Sequence, residues 1–341
     1  MSRAFESLTA GGQRRRLRRV ATRAVDALGL GPLALTSLGY GENATFRGTG
    51  AAGRFLVRVH ADDYHRPPEI RSELMWLRAL AADTGLSVPR PVADPIVVEV
   101  PGVSPRPVTV FHWTEGRIVG QAVTPARAHM LGELLATLHQ HSGGWTPPPT
   151  FTRRRWDADS LFRWWPDAIH HEVVGGLTRR QRRRFARVED RFRELSAALG
   201  EGPEVFGLIH GDLHPGNCLV RDRALAPIDF DDCRFGWRLY DLAVPWRSMA
   251  RGRDPAALRA ALLDGYRKKG FLPPEHEAWL PDFERARTVT IALFLLWRGR
   301  AHPGLRRIAE EAIPIFEATL ARGLSARSSG GRPGSRGSRR C

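Results

Sequence analysis

The sequence predicts an α+β fold of two lobes, in which a small, mostly antiparallel sheet comes before a mostly helical region. Apolar residues alternate with period two only in the first third of the chain, whereas from Thr124 onward they recur at helical spacing. A short non-helical island, Val205–Phe230, interrupts the helices. A chain of 341 residues is long enough for about two domains and buries a sizeable core.

The first lobe is predicted over residues 30–113, after an N-terminal helical segment at residues 1–29. Phe55, Val57 and Val59 alternate with more polar residues, as in a strand with one buried face. A segment with apolar residues at helical spacing lies between the strands, ahead of two prolines. The predicted elements are strands at 33–38, 45–47 and 54–60, a helix at 69–82, and strands at 96–100 and 108–113.

The second lobe is predicted over residues 114–324 and is mostly helical. Its first helix carries an apolar stripe that includes Leu131, Leu134 and Leu138. Further helical patterns, several of them rich in arginine, occur near 161–171, 178–199, 238–250, 254–269, 275–298 and 303–322. Residues 325–341 are mainly Ser, Gly and Arg, which predicts a disordered basic tail.

The charge is strongly positive, +16, and almost all of it comes from arginine, because lysine stands only at Lys268 and Lys269. No lysine therefore ends a glycine-rich phosphate loop, which excludes Walker-type NTPases. The common GxSxG, HExxH and CxxC motifs are also missing. The charge is spread along the chain without a nucleic-acid reading motif, so no nucleic-acid partner is expected.

Two further features favour a cytoplasmic protein without a membrane partner. The three cysteines are widely spaced, which is typical of a reducing compartment rather than a disulfide framework. The most apolar stretch, Thr288–Trp297, is about half as long as a membrane span and indicates a buried helix. No signal peptide is recognised at the N-terminus.

The non-helical island holds the residues with the clearest chemistry. It contains LIHGDLHPGNCLV at 208–220 and PIDFDD at 227–232. Two short apolar strands, 218–220 and 225–228, are predicted to form a hairpin whose outer ends carry Asp212, Asn217 and Asp229. Hard oxygen ligands of this kind suit Mg²⁺, and their spacing fits phosphoryl transfer. Two alternatives are an Asx-rich turn without catalysis and a zinc site built on His210 and His214.

The motifs HGDLHPGN, IDFDD and LYDLA resemble those of the aminoglycoside phosphotransferase and choline kinase family, which has a protein-kinase-like fold. The resemblance extends over about residues 30–320. It implies that Asp212 is the catalytic base and that Asn217 and Asp229 bind Mg²⁺. It also implies that His210 supports the catalytic loop and that Asp241 braces this loop from below.

Asp231 departs from the protein-kinase pattern, in which glycine stands at this position. Aspartate here is usual in the small-molecule branch of the resembled family. Both a metal-associated role and a structural role are consistent with the sequence.

The nucleotide half of the site is expected in the first lobe. Gly39, Gly41 and Ala44 form a GxGxxA pattern, which occurs both in dinucleotide-binding folds and in kinase nucleotide loops. A turn between two strands follows, rather than a helix, which favours the kinase arrangement. Asn43 and Thr45 would then contact the phosphates.

Arg58 occupies the strand position at which kinases carry a phosphate-pairing lysine, and Glu73 lies on the following helix as its expected partner. Arginine keeps the charge but presents a planar fork instead of a point charge. The alternative is a solvated strand arginine. Phe111 and Trp113 lie in the predicted connection between lobes, whose backbone would bind adenine, although Trp113 fits a core position equally well.

The resulting hypothesis is an ATP- and Mg²⁺-dependent phosphotransferase that moves the γ-phosphate to a hydroxyl of a small molecule, such as an aminoglycoside, an amino alcohol, a sugar or a hydroxy amino acid. The alternatives are a Ser/Thr protein kinase of the bacterial stress-response type and a pseudokinase-like ATP-binding module. The acceptor pocket is expected near residues 156–165 and Asp232. No residue pattern in the sequence identifies the acceptor or the oligomeric state.

Overall fold

A computed structural model describes residues 4–120, 123–163, 167–250 and 252–301, together with residues 305, 308, 310, 314 and 317. Within residues 4–120, five strands form an antiparallel sheet in the order β1-β2-β3-β5-β4. The strands are β1 (Ala34–Tyr40), β2 (Ala44–Gly50), β3 (Gly53–Val59), β4 (Ile96–Val100) and β5 (Val103–His112). This is the predicted sheet, with β1, β2 and β5 longer than the sequence indicated and β3 and β4 of the predicted length.

Two helices pack against this sheet. Helix α1 (Ala10–Ala27) begins where the Thr9 side chain accepts a hydrogen bond from the Gly12 N–H, and its buried face shares one apolar core with the sheet. Helix α2 (Pro67–Asp83) starts with proline, and the Glu69 side chain accepts a hydrogen bond from the Arg66 N–H. It packs with the core of the second lobe and carries Glu73 beneath the sheet.

Strand β3 confirms the predicted alternation, because Phe55, Val57 and Val59 are all buried. Arg58 lies between two of these residues and is only 3 % exposed. The second face of the sheet is therefore covered as well at this point, by α2 and the second lobe. The alternative of a solvated strand arginine is wrong, because the side chain is enclosed and ion-paired.

The second lobe is mostly helical and carries two small antiparallel sheets. Its helices are α3 (Pro125–Gly144), α4 (Asp167–Gly175), α5 (Arg179–Leu199), α6 (Arg238–Met249), α7 (Pro255–Arg267), α8 (Pro274–Glu277) and α9 (Leu280–Ala301). Its strands are β6 (Arg117–Ile118), β7 (Phe206–Ile209), β8 (Cys218–Arg221), β9 (Ala224–Pro227) and β10 (Arg234–Trp237). Strands β8 and β9 form the predicted hairpin, and β7 pairs with β10.

Helices α3 and α7 approach each other closely through two glycines. A Cβ on Gly132 would overlap the carbonyl oxygen of Leu262, and a Cβ on Gly265 would overlap that of His129. Only glycine permits backbone contact at this distance. The close approach brings Tyr266 of α7 against His139 of α3, at 2.9 Å between the phenol oxygen and Nδ1.

Two predicted helices differ from the structure. The helix expected near 275–298 is divided into α8 and α9, because α9 begins only at Leu280. The other helix is expected over 161–171, whereas residues 161–163 are not helical and α4 is described over Asp167–Gly175. The Asp157 carboxylate accepts the backbone N–H groups of Asp159 and Ser160, which forms a local turn in competition with a helix.

Three further predictions concern the C-terminal tail, membrane-spanning helices and the cysteines. The predicted tail, residues 325–341, and most of the predicted helix 303–322 lie outside the described residues. No helix among the described residues is both long and apolar enough to cross a membrane. Cys218 and Cys233 are buried free thiols.

Candidate active site

The loop between β7 and β8 is held from below by a buried carboxylate on α6. Asp241 accepts the backbone N–H of His210 at 2.9 Å and that of Gly211 at 2.8 Å. Burial is the largest single effect and raises the pKa of Asp241, but the hydrogen bond and charge of His139, together with His210 and its backbone N–H, outweigh burial and hold this pKa below its usual range. The loop conformation also requires glycine at Gly211, whose φ is +80°. Asp241 thus has the geometry expected of the brace.

His210 is fully buried and engages both ring nitrogens. Its Nε2 lies 3.1 Å from the Ile228 carbonyl oxygen, and its Nδ1 lies 3.3 Å from the Asp212 backbone nitrogen. Burial lowers its pKa, so the ring is neutral at pH 7. A zinc ion would compete for nitrogens that are already bonded, and no group of three His, Cys, Asp or Glu side chains among the described residues could hold a metal. The zinc alternative is therefore wrong.

Asp212 projects from this loop and is 23 % exposed. Its Oδ1 contacts the Arg287 guanidinium of α9, and its Oδ2 lies 3.3 Å from Nδ2 of Asn217. The same Asn217 nitrogen donates to the Asp212 carbonyl oxygen at 3.0 Å. The predicted base is thus fixed between a cation and an amide.

Asp229 follows β9 and adopts a left-handed backbone, with φ +64° and ψ +63°, which short polar residues tolerate better than most others. Its Oδ1 lies 3.1 Å from Nη2 of Arg58. The side chain is 52 % exposed and lines the cleft between the lobes. Desolvation in the cleft, aided by the neighbouring carboxylates Asp231 and Glu73, raises the pKa of Asp229 to about 7, and the charge of Arg58 opposes the rise.

The two predicted metal ligands lie on adjoining segments, since the Ile228 N–H donates to the Asn217 carbonyl oxygen at 2.9 Å. Asn217 uses its amide nitrogen in the bonds to Asp212, which leaves its side-chain oxygen for a cation. Arg58 bonds one oxygen of Asp229, Oδ1. One carboxylate and one amide oxygen, completed by phosphates and water, suit the coordination habit of Mg²⁺. The residues present therefore fit this ion.

Arg58 lies at the centre of a buried ion-pair network. Its Nη1 lies 2.8 and 3.0 Å from the two carboxylate oxygens of Glu73, which is 0 % exposed. Asp231 lies 3.5 Å away, and the guanidinium carbon is 5.2 Å from the centre of the Phe111 ring. Burial would lower the pKa of Arg58, but Glu73, Asp231 and Asp229 raise it, so the side chain stays charged. Phe111 therefore supports the cation from the core.

Asp231 connects the two lobes. Its Oδ2 accepts a hydrogen bond from Nδ2 of Asn43 at 2.7 Å. Burial is the largest single effect and raises its pKa, but the surrounding basic side chains, His65 and Arg58 foremost, together outweigh burial and keep the pKa below its usual range. The side chain therefore presents a charged acceptor to the loop between β1 and β2.

Most predicted site residues converge on one cleft of about 320 Å³ between the lobes. Those that line it are Gly39, Gly41, Asn43, Thr45, Arg58, Asp212, Asp229 and Asp231. Glu73 lies behind Arg58, and His210 and Asp241 lie beneath the loop. Trp113 does not line this cleft, and its ring is 6.0 Å from the Arg47 guanidinium on β2.

A second cavity, of about 360 Å³, opens on the other side of Asp212. Its lining includes Tyr64, Trp156, Asp232 and Arg287. Trp156 and Asp232 come from the regions in which the acceptor pocket was expected. Residues 164–166, in the same predicted region, lie outside the described residues.

Sequence reasoning missed the cations that α9 contributes to the site. Arg287 contacts Asp212, and Arg298 bonds Glu42 of the loop between β1 and β2, with Nε 3.0 Å from Oε2. Nη1 of Arg298 also lies 2.8 Å from Oδ2 of Asp63. The only sequence signal is that these two arginines flank the apolar stretch 288–297 of a helix. That pattern shows that they bound the apolar stretch of a buried helix, but it does not identify the carboxylates that they contact.

Comparisons with known proteins agree with this geometry. The sequence profile described as the phosphotransferase enzyme family matches residues 36–279. The solved structure of a microcompartment-associated aminopropanol kinase superposes with a TM-score of 0.75, at 31 % identity, covering 89 % of this chain and 98 % of that one.

Two curated relatives are also similar in sequence. Amicoumacin kinase of Bacillus subtilis is 25 % identical over 235 residues, which cover 64 % of this chain and 67 % of that protein. Homoserine kinase of Rhodopseudomonas palustris is 27 % identical over 266 residues, covering 74 % of this chain and 75 % of that protein.

Proposed function

Since the chain belongs to the phosphotransferase enzyme family, we propose that it transfers the γ-phosphate of ATP to a hydroxyl group of a small molecule. One observation carries the proposal: Asp212 lines both cavities, the cleft under the loop between β1 and β2 and the second cavity beside α9. A base at such a junction reaches both a nucleotide phosphate and an acceptor hydroxyl. The relatives named above are kinases whose names specify small molecules.

In the proposed reaction the acceptor oxygen attacks the γ-phosphorus while its proton passes to Asp212. The bond between the γ-phosphorus and the bridging oxygen breaks, and ADP leaves. Asn217 and Asp229 would hold Mg²⁺, which neutralises phosphate charge when bound. Arg58, held by Glu73, would stabilise the phosphates at the back of the cleft. Positioning and charge neutralisation supply most of the rate gain in such a site.

The Arg58–Glu73 ion pair supports an active kinase over the pseudokinase alternative, because the buried cation keeps the partner that an active arrangement needs. A protein acceptor is the remaining alternative. We further propose that the enzyme works in the cytoplasm, where ATP is available and buried free thiols such as Cys218 and Cys233 persist.

The test uses the purified full chain with ATP and Mg²⁺ and a panel of aminoglycosides, amino alcohols, sugars and hydroxy acids. Phosphorus NMR would follow ADP and any new phosphate ester, with samples containing EDTA or no acceptor as controls. We expect an ester that depends on both the acceptor and Mg²⁺. No ester from any acceptor, together with no ATP binding by calorimetry, would refute the proposal. Phosphate found on added or endogenous protein alone would favour the protein-kinase alternative.

A further inference from the structure

Helix α9 contacts three parts of the proposed reaction site along one side of its length. Its Arg287 contacts Asp212, and its Arg298 bonds Glu42 in the loop between β1 and β2. Between these arginines, Phe294 lines both the cleft between the lobes and the second cavity. The spacing of these three α9 residues places them on one face of the helix, which spans about 16 Å between the two arginines. One helix thus connects the base, the second cavity and the loop.

Arg298 holds the loop between β1 and β2 through both oxygens of one carboxylate. Its side chain is only 4 % exposed, its Nε lies 3.0 Å from Oε2 of Glu42, and its Nη2 contacts Oε1. A guanidinium that bonds both carboxylate oxygens fixes the orientation of its partner. Burial, aided by nearby carboxylates, raises the pKa of Glu42 to about 8, and the charge of Arg298 opposes the rise. Glu42 therefore depends on Arg298 for its position and for its ionisation.

The loop between β1 and β2 forms one wall of the cleft between the lobes. Its glycines supply no side chains for packing, and a Cβ on Gly41 would meet nothing within 4 Å. We therefore expect the position of the loop to depend on the side chains of Glu42 and Asn43. Asn43 bonds Asp231 and Glu42 bonds Arg298, so each of them ties the loop to a different segment of the second lobe.

A second contact of Arg298 leads to the wall that the two cavities share. Its Nη1 lies 2.8 Å from Oδ2 of Asp63. The next residue, Tyr64, donates a hydrogen bond to Oδ1 of Asp232 at 2.6 Å, and its ring centre lies 6.4 Å from that of Phe294. Tyr64, Asp232 and Phe294 all line both cavities. The partners of Arg298 thus adjoin the residues between the two cavities.

We propose, on the basis of the function proposed above, that Arg298 is a positioning residue that couples the loop between β1 and β2 to the second cavity. When a nucleotide holds this loop against the second lobe, Glu42 holds Arg298, and the face of α9 that lines the second cavity is ordered with it. Such coupling is reciprocal, so an acceptor that contacts Phe294 raises the affinity for the nucleotide by the same factor. The acceptor therefore binds best after the nucleotide.

The first measurement is the Kd for AMP-PNP, a non-hydrolysable ATP analogue, with Mg²⁺, by calorimetry of the full chain at pH 8.5, where Glu42 is ionised. Arg298→Met is expected to raise Kd about tenfold, as loss of a charged hydrogen-bond partner implies, and Arg298→Lys to recover part of the loss. Arg78→Met is the matched control, because Arg78 also pairs with a carboxylate, that of Asp94, but is 46 % exposed and lines neither cavity. Equal Kd values in the wild type and folded Arg298→Met overturn the inference.

Glu42→Met separates positioning from a direct effect of charge. Glu42 lines the cleft, so removing its negative charge would by itself strengthen binding of an anionic nucleotide. A positioning role has the opposite sign: Glu42→Met should weaken binding about as much as Arg298→Met, and the double variant should weaken it no further. Tighter binding by Glu42→Met contradicts the positioning role. This variant also carries the test if Arg298→Met does not fold.

Hydrogen exchange measured by mass spectrometry tests the coupling itself. In the wild type, AMP-PNP is expected to slow amide exchange in peptides covering residues 290–301 of α9, and this protection should be lost in Arg298→Met saturated with the analogue. Equal protection of α9 in both proteins would overturn the coupling. A wild type that does not bind AMP-PNP refutes the proposed use of ATP and this inference with it. Wild-type binding without any effect of the variants overturns the inference alone.

Discussion

The Nδ2 atom of Asn43 lies 2.7 Å from the Oδ2 atom of Asp231, so a hydrogen bond joins the loop between β1 and β2 to the segment after β9. The oxygen of the same amide accepts the Ala61 N–H at 3.1 Å. One side chain therefore fixes the loop to its own lobe and to the residues that follow Asp229. We therefore expect the position of the loop over a bound nucleotide to depend on this amide.

Asn43→Asp tests that dependence with almost no change in volume. The new carboxylate would face Asp231, and this repulsion is expected to open the loop and raise KM for ATP about tenfold. In the double variant Asn43→Asp/Asp231→Asn the amide donor and the carboxylate acceptor exchange places. The hydrogen bond can then form again, and most of the affinity for ATP should be recovered. Steady-state kinetics with varied ATP make the measurement. Equal KM values in the wild type and the single variant would show that the loop does not need this bond.

Arg58 offers a test of charge against hydrogen-bond geometry. Arg58→Met leaves the fully buried Glu73 without its cation, and we expect a loss of about 3–5 kcal/mol in the free energy of unfolding. Arg58→Lys keeps the charge and should lose less stability. Its KM for ATP shows whether an ammonium group can replace the guanidinium in binding the phosphates. Urea unfolding of both variants gives the comparison. A Met variant as stable as the wild type would mean that the network contributes nothing to folding.

The close approach of α3 and α7 predicts a large difference between two Gly-to-Ala changes in one helix. Gly132→Ala places a methyl group against the Leu262 carbonyl oxygen, and the helices must separate, at a cost of about 3 kcal/mol or more. Gly144→Ala meets nothing within 4 Å and is expected to be neutral or slightly stabilising. Thermal unfolding of the two variants makes the comparison. Similar melting temperatures would contradict the packing described here.

His60 predicts how stability depends on pH. Burial lowers its pKa from 6.5 to about 3, against the opposing effect of Asp231. Because the unfolded chain binds the proton more tightly, this contribution to stability is fully present above pH 6.5. It is lost as pH falls from 6.5 toward about 3, at about 1.4 kcal/mol per pH unit.

Urea unfolding at pH 7.5 and pH 5 measures this effect. The wild type should lose more stability between these pH values than His60→Gln does. His171→Gln, a change at an exposed histidine, should behave like the wild type. A loss in His60→Gln equal to that of the wild type would show that His60 does not carry the effect.

The part of the site that sequence reasoning anticipated is local in the chain. Asp212 and Asn217 lie five residues apart on one loop, and Asp229 follows the next hairpin strand, so motif spacing and strand alternation suffice to place them together. The resemblance to kinases pairs Arg58 of a strand with Glu73 of the following helix. The fold class followed from the residue patterns, because a period of two is confined to the first third of the chain and helical spacing dominates from Thr124 onward.

The contacts that escaped prediction join distant segments. Arg298 and Glu42 are 256 residues apart, and Arg287 is 75 residues from Asp212. Periodicity shows that α9 has a buried face, but tertiary packing decides which carboxylates its arginines contact. Local hydrogen bonding of Asp157 likewise overrode the helical pattern that begins at residue 161.

The most direct test of the central proposal is phosphate transfer by Asp212→Asn measured beside Asp222→Asn. The first change removes the proton acceptor at the junction of the two cavities. The second makes the same chemical change at an exposed turn, where asparagine also tolerates the positive φ of 48°. With both variants folded and ATP binding retained, we expect Asp212→Asn to lower kcat by about 10²–10⁴-fold and Asp222→Asn to match the wild type. Wild-type turnover by folded Asp212→Asn would contradict the assignment of Asp212 as the base and with it the proposed reaction site.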